Sequence, residues 1–417
     1  MKVWILHHHL LTGGVTSVIH TQSAAFENSG QDFEVVVGDA AGRTPGGKTP
    51  LEFEGLNYLP RGLESGDLKD RRSDLKAFLA PLAQSGLLHV HNLNLGKNPL
   101  LNLVIADLLA EGAKVVNHCH DFAEDNRPLN IEHLNNVVCK TFGEELESVL
   151  YPKNRSLAYV VINQADRQLL KSHGIDDSCI FDGPNAISPP PPMKAGARAD
   201  VLTRLHLNDR PLVLYPVRAI ERKNIPELLL LCCLFKEKAN FAVTQPAKNP
   251  LEVEAVKPWI ELADQLKLPV VFEAGLKANF LSLMYGCDLV VSTSINEGFG
   301  LGFLEPWLFG KAVVGRDLPQ VTSDFRKKGL SFPSLYQTLK IEGEDFSTLD
   351  DSKKLNIIEK ASKNPTVAKS ILDENQLNDF LTSPTPELIE ANAQKILTEY
   401  SVESYGQNLK QIYATSF

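Results

Sequence analysis

The sequence lacks a membrane-spanning run. No apolar stretch approaches the ~18 residues that a transmembrane helix needs. The apolar start Met1–Leu6 is too short for a signal-peptide core, and His7, His8 and His9 follow it at once. An intracellular, cytoplasmic protein is expected, with no membrane association. A basic excess is lacking too: 42 Lys and Arg stand against 51 Asp and Glu, a formal net charge of −9. That argues against a nucleic-acid partner. The six cysteines, Cys119, Cys139, Cys179, Cys232, Cys233 and Cys287, have the spacing of neither a zinc site nor a disulfide framework. They read as reduced, mostly buried thiols. No G-x-G-x-x-G fingerprint follows a strand, which argues against NAD or FAD, and no Asp-x-Asp metal element occurs.

What is present is an ordinary globular composition, 43% hydrophobic and 22% charged. The 417 residues suggest two domains. In the first half, strand candidates at Val3–Leu6, Phe33–Val37, Leu87–Val90, Lys114–Val116 and Tyr159–Ile162 alternate with helical segments. The helices are expected near Val15–Glu27, Asn98–Ala110, Ile131–Leu150 and Gln164–Ser172. Four consecutive prolines, Pro189–Pro192, then interrupt the pattern and read as a linker. Beyond them the alternation restarts. Strands are expected at Leu212–Tyr215, Phe241–Thr244, Val270–Phe272, Leu289–Ser292 and Ala312–Val314, and helices at Pro226–Phe235, Pro250–Leu266, Ala278–Tyr285 and Leu301–Phe309. Leu330–Pro386 is more polar and less periodic. Alternation of this kind implies βαβ units and parallel sheets. The fold class is α/β, with two doubly wound, Rossmann-like halves facing across a cleft. Ligands in such sheets bind outside the carboxyl ends of the strands.

Three segments at expected strand ends carry chemistry. Ser294 to Glu305 holds Glu297 and Glu305 with Gly298, Phe299, Gly300, Leu301 and Gly302 between or beside them. Its glycines let backbone amides approach a ligand, and amides at a helix N-terminus favour an anion. Alone it is also an ordinary glycine-rich turn with a capping carboxylate. Pro216 to Asn224 holds Arg218 and Lys223, a planar fork and a compact cation suited to phosphate. Alone it is also a solvated basic loop. Thr12-Gly13-Gly14-Val15 opens the first helix and is weak by itself.

Taken in this order, the segments resemble the retaining GT-B glycosyltransferases of glycosyltransferase family 4. Glu297 to Glu305 is similar to that group's E-x7-E element, Arg218 and Lys223 to its donor-diphosphate pair, and Gly13-Gly14 to its N-terminal glycine loop. Pro184-Asn185-Ala186-Ile187 resembles its hinge segment, with Ala186 where glycine is usual. The resemblance spans the chain and is stronger in the second half. It implies an acceptor-binding domain over 1–190, joined by a C-terminal helix at about 398–417, and a donor-binding domain over 191–397. It implies that Glu297 holds the donor sugar's hydroxyls and that Glu305 accepts hydrogen bonds from the nucleotide ribose. Arg218 and Lys223 would neutralise the leaving diphosphate, and amides of Gly298 to Leu301 would touch sugar and phosphate. No metal or other cofactor is then needed beside the nucleotide sugar.

In the first half, Asn117 to Arg127 follows the strand Lys114–Val116. The family often has a His-Asp pair here, which His120-Asp121 matches, with the His near the anomeric carbon. Asp121, Asp125 and Arg127 are candidate acceptor contacts. His118 and His120 also admit a metal site, although further ligands lack convincing spacing. His7, His8 and His9 cannot all face one way, because strand side chains alternate. Residues 1–190 hold 16 Lys and Arg against 23 Asp and Glu. The one basic cluster (Lys69, Arg71, Arg72, Lys76) is broken by Asp70 and Asp74. A soluble hydroxylated acceptor is therefore expected rather than an anionic lipid. The expected activity is hexosyl transfer from a UDP- or GDP-sugar. A sugar-nucleotide epimerase of the same fold and a catalytically silent nucleotide-sugar-binding protein are the alternatives.

Overall fold

A computed structural model describes every residue except Asn126, Arg127, Lys194, Ala195 and Asn249. The chain forms two compact units, Met1–Ser188 with Thr398–Phe417, and Pro189–Leu397.

The first unit is built on seven strands: β1 (Lys2–His9), β2 (Phe33–Asp39), β3 (Leu51–Glu52), β4 (Gly86–His91), β5 (Val115–Cys119), β6 (Leu157–Val161) and β7 (Ile180–Asp182). Their order is β3-β2-β1-β4-β5-β6-β7, with parallel pairing throughout. The strands are apolar on both faces because helices cover both. On one face Trp4, Leu6, Leu88, Val90 and Val115 join a cluster with Leu75, Leu101 and Val104. On the other, Val3, Ile5, Leu87 and Val116 pack with Phe26 of the helix Gly14–Asn28 and with Leu409 and Tyr413 of the final helix, Val402–Ser416. Gly406 permits that contact, since a Cβ there would lie 3.0 Å from Ala25.

The main sheet of the second unit has six strands: β8 (Leu212–Arg218), β9 (Asn240–Gln245), β10 (Val270–Val271), β11 (Leu289–Ser292), β12 (Ala312–Arg316) and β13 (Leu335–Tyr336). They run in the order β10-β9-β8-β11-β12-β13, again parallel. Each sheet therefore reverses its winding at one point, between β1 and β4 in the first and between β8 and β11 in the second. A crevice opens at such a point in this topology.

Several elements differ from the sequence reading. Ile131–Leu150 is not one helix: Pro128–Leu134, a wide π turn at Asn135–Thr141 and Leu146–Leu150 share it. Gly143 sits at φ 71° after that turn, where a continuing helix has no place for it. Leu301–Phe309 also splits, into a 3-10 turn (Leu301–Phe303) and a short helix (Glu305–Leu308). Pro306 explains the break, because proline belongs at the first turn of a helix and not inside one. The polar Leu330–Pro386 region holds two helices, Asp351–Lys363 and Pro365–Glu374. All six cysteines are free.

Candidate functional site

In the second unit, the loops leaving β8 and β11 meet at the winding reversal. The β8 loop is stitched down first. Tyr215 donates its hydroxyl to the Lys223 carbonyl at 3.0 Å, and Thr293 bonds the Lys223 and Asn224 carbonyls at 3.0 and 3.2 Å. The Ile295 amide donates to the Arg222 carbonyl at 3.0 Å. Glu227, in the first turn of the next helix, is fully buried and takes a bidentate grip from Arg316 at 2.9 and 2.6 Å. That buried pair fixes where the helix begins, and so where the loop ends.

On this frame sits a charge cluster. Glu297 Oε1 accepts from the Lys223 ammonium, and from the Ser294 hydroxyl at 2.6 Å. Glu297 Oε2 accepts from Arg222 at 2.9 Å. Burial pushes the Glu297 carboxyl up, but Lys223 and Arg222 outweigh it and hold the group below the ordinary carboxylate range. Burial in turn lowers Lys223, against the pull of Glu297. Arg218 makes no ion pair among the described residues, and its Nε is buried without a partner. Two cations thus share the Glu297 carboxylate, leaving that ion-pair cluster one formal positive charge in excess, and Arg218 ends the preceding strand.

The glycine segment follows. Gly300 has φ 85°, and a Cβ on it would meet Val321 at 2.4 Å, so glycine is required there twice over. Phe299 is buried against Phe325, and Gly298 and Gly302 lie exposed on either side. Leu301 opens the 3-10 turn. Glu305 begins the short helix after it, rather than lying over a turn into a longer one. Its carboxylate has no hydrogen-bond or ion-pair partner among the described residues, and burial alone raises its pKa to about 7. A carboxylate in that state is satisfied by incoming hydroxyl donors.

The first unit brings another set together at its own reversal. Gly13 is the N-cap of the helix Gly14–Asn28, no side chain caps that end, and Gly13 and Gly14 are exposed. Uncapped amides there suit an anion. Beyond β4, Asn92 adopts a left-handed conformation with φ 62°. Its side-chain oxygen accepts the amides of His120 at 2.8 Å and Asp121 at 3.0 Å, while its NH2 donates to Asp121 at 3.0 Å. Asn92 therefore fixes the His120-Asp121 turn. Asp125 accepts the Phe122 amide at 2.8 Å, so one of its oxygens serves the turn rather than a ligand. Asp166 nearby is pushed up to about 7 by burial, then by Asp125 and Asp121. Arg127 lies outside the described residues.

A row of histidines lines the same face. His7 and His9 on β1, His89 and His91 on β4, and His118 and His120 at the end of β5 alternate in register. His89, His91 and His118 each place a ring nitrogen within 4.8 Å of the others, so they are the group able to hold a metal ion. His89 and His91 already use both nitrogens in hydrogen bonds with neighbours.

Sequence reading missed Arg222, Ser294 and Tyr215 in the second unit and Gln22, His91 and Asn92 in the first. Arg222 was visible as the neighbour of Lys223. The His-x-His spacing on three successive strands was the signal for the histidine row.

No protein-family model matches the chain. Mannosylglucosyl-3-phosphoglycerate synthase of Petrotoga mobilis is 27% identical over 351 residues, which is 78% of this chain and 66% of that protein. An alpha-1,3-N-acetylgalactosaminyltransferase of Campylobacter jejuni, acting on N,N'-diacetylbacillosaminyl-diphospho-undecaprenol, is 28% identical over 113 residues, 27% of this chain and 28% of that protein. The matches thus span less than two thirds of either relative. Among solved structures, HepE of Anabaena in complex with UDP and glucose matches with a TM-score of 0.66 at 16% identity over 100% of both chains. Sucrose-phosphate synthase from Thermosynechococcus elongatus matches with a TM-score of 0.62 at 15% identity, over 99% of this chain and 98% of that one. These likenesses show the fold. That fold is GT-B, two parallel-sheet α/β units. No helix among the described residues is long and apolar enough to cross a membrane.

Proposed function

We propose that this GT-B chain is a retaining glycosyltransferase, moving a hexose from a UDP- or GDP-linked sugar to a hydroxyl of a soluble acceptor without a metal ion. One observation carries the reading. At the winding reversal of the second unit, Arg222 and Lys223 grip the Glu297 carboxylate, Arg218 ends β8 with a buried Nε that has no partner, and Glu305 stands unpartnered nearby in sequence. The relatives' printed names, and the UDP and glucose bound to HepE, support the same substrate class.

The chemistry follows from charge. Breaking a sugar–phosphate bond leaves negative charge on the departing diphosphate. Cations already fixed in place stabilise that charge without reorganising when it develops. Arg218, with its unpaired guanidinium, offers the first contact, and Lys223 and Arg222 supply the rest. They would take the place of a divalent metal. Glu297 stays ionised and holds two of the cations in position, with one lone pair on Oε2 left for a sugar hydroxyl. Glu305 would accept from the ribose. In the first unit, His120 would face the sugar, and Asp121 and Asp125 would contact the acceptor. The acidic balance of residues 1–190 favours a neutral or cationic acceptor over anionic lipid.

Thermal shift with UDP, GDP, ADP and their sugars, without added metal, is the direct test. A ligand at about 100 times its Kd stabilises the protein by roughly 2.7 kcal/mol. The expected result is a rise with a uridine or guanosine diphosphate. No rise with any of them would sink the donor site. The pKa of Glu305 would also suit a general base, as a sugar-nucleotide epimerase requires. Incubating protein and nucleotide sugar in D2O separates the two. Deuterium on a sugar ring carbon would mean proton abstraction, and its absence, with the sugar joined to an acceptor hydroxyl and the nucleotide diphosphate released, means transfer.

A further inference from the structure

We propose that Gln22 and His91 are positioning residues that set the tautomer of His120, so that its Nδ1 is offered as a hydrogen-bond acceptor to a hydroxyl of the bound sugar. The sugar-facing half of this inference rests on the function proposed above; the tautomer does not.

The histidine row is joined into one chain of hydrogen bonds. His120 Nε2 lies 2.9 Å from His91 Nδ1, and His91 Nε2 lies 2.7 Å from Gln22 Oε1. The Gln22 amide nitrogen reaches the Tyr413 hydroxyl at 3.5 Å. That hydroxyl lies 2.7 Å from His89 Nδ1, and His89 Nε2 lies 3.2 Å from His118 Nδ1. A neutral imidazole has one donor and one acceptor nitrogen. These rings hydrogen-bond to one another, to Gln22 and to Tyr413, and among the described residues no carboxylate bonds them to hold a second proton, so they are neutral.

Direction now propagates. Gln22 Oε1 can only accept, so His91 carries its proton on Nε2. His91 Nδ1 is then an acceptor, and His120 must donate to it from Nε2. The other arm agrees. Gln22 donates to the Tyr413 oxygen, Tyr413 donates to His89 Nδ1, and His89 donates from Nε2 to His118 Nδ1. His118 is left with its proton on Nε2, which faces the Gly183 position. That nitrogen is buried and makes no hydrogen bond among the described residues, so the relay ends there. Each group donates to the next, from His120 to His118. The chain starts at His120 with Nδ1 open. Turning the Gln22 amide over would reverse every link and put a proton on His120 Nδ1, where it could only donate.

The test is long-range 1H–15N correlation spectroscopy on the full chain labelled at histidine, with His120 assigned by its loss in His120→Asn. The expected spectrum shows His120 neutral and protonated on Nε2 from pH 5.5 to 8. Protonation on Nδ1 in the unaltered protein would overturn the proposal before any variant is made. Gln22→Met removes the acceptor and should leave His120 in both tautomers. Gln22→Glu keeps an acceptor toward His91 and should restore the Nε2–H form. An unchanged His120 spectrum in Gln22→Met would refute the relay. For the sugar, Gln22→Met should weaken UDP-hexose binding about fivefold, the worth of one neutral hydrogen bond, with UDP affinity unmoved. Equal weakening of both ligands would overturn the sugar-facing role. If the unaltered protein bound no nucleotide sugar yet gave the expected spectrum, the glycosyltransferase reading would fall and the tautomer relay would stand.

Discussion

Glu305→Gln should make the ligand-free protein more stable, and by more at high pH than at low. Burial raises the Glu305 pKa from 4.5 to about 7. A group whose pKa is raised on folding contributes stability below its unfolded value and loses it as pH climbs through the folded value. The whole displacement is worth about 3 kcal/mol at 1.36 kcal/mol per pH unit. Between pH 5.5 and 8.5, the native protein should lose roughly 2 kcal/mol through this one carboxyl, by the same linkage. Glutamine keeps the shape and never ionises, so the variant escapes that loss. Urea unfolding at the two pH values, read by tryptophan fluorescence, measures the difference. Trp307 is buried two residues away and reports on the unit concerned, which matters because a chain of two units need not unfold in one step. The reasoning fails if the variant's advantage is the same at both pH values, or if it is destabilised at pH 8.5. It also requires a trade: the stabilised variant should bind nucleotide diphosphate more weakly, having lost its anionic acceptor.

Glu297→Ala should cut transfer by roughly a hundredfold or more, on the scale of a lost electrostatic group, while nucleotide binding survives; unchanged turnover would remove its assigned role. Lys223→Ala should weaken UDP or GDP binding and slow transfer together, and unaltered affinity would place the diphosphate elsewhere. Gly300→Ala should destabilise the protein by at least about 2 kcal/mol, combining left-handed strain with the Val321 overlap; an unchanged Tm would contradict that geometry. EDTA should leave activity standing, and full loss reversed by a divalent ion would refute the metal-free mechanism.

Much of the architecture is legible because parallel strands buried on both faces read as unbroken apolar runs, as Leu289, Val290 and Val291 do. β3, β7 and β13 are two- or three-residue strands, too short for any period to mark them, whereas β10 falls within the expected Val270–Phe272. The Glu297, Arg218, Lys223 and Gly300 positions stand out because charge and glycine at strand ends are chemically specific. Their pairing does not. That Lys223 spends its charge on Glu297, and that Arg222 rather than Arg218 shares it, depends on how two loops distant in sequence are stitched by Tyr215, Ser294 and Thr293. The histidine row was readable as alternation within each strand. Its joining through Gln22 and Tyr413 required knowing which helices cover that face.

The first unit is discontinuous: the chain leaves it at Ser188 and returns at Thr398. Tyr413 bonds His89 across 324 residues of sequence. A ribosome must therefore translate the entire second unit before this hydroxyl exists. The second unit is free to fold while synthesis continues, but the first must wait with seven strands made and one helix absent. During that interval Phe26, Leu87 and the imidazoles behind them lack the cover that Leu409 and Tyr413 supply. Competence at the histidine row thus comes after the second unit is made, and a polypeptide interrupted before Tyr413 would have its phosphate-side loops formed and its imidazole wire unconnected.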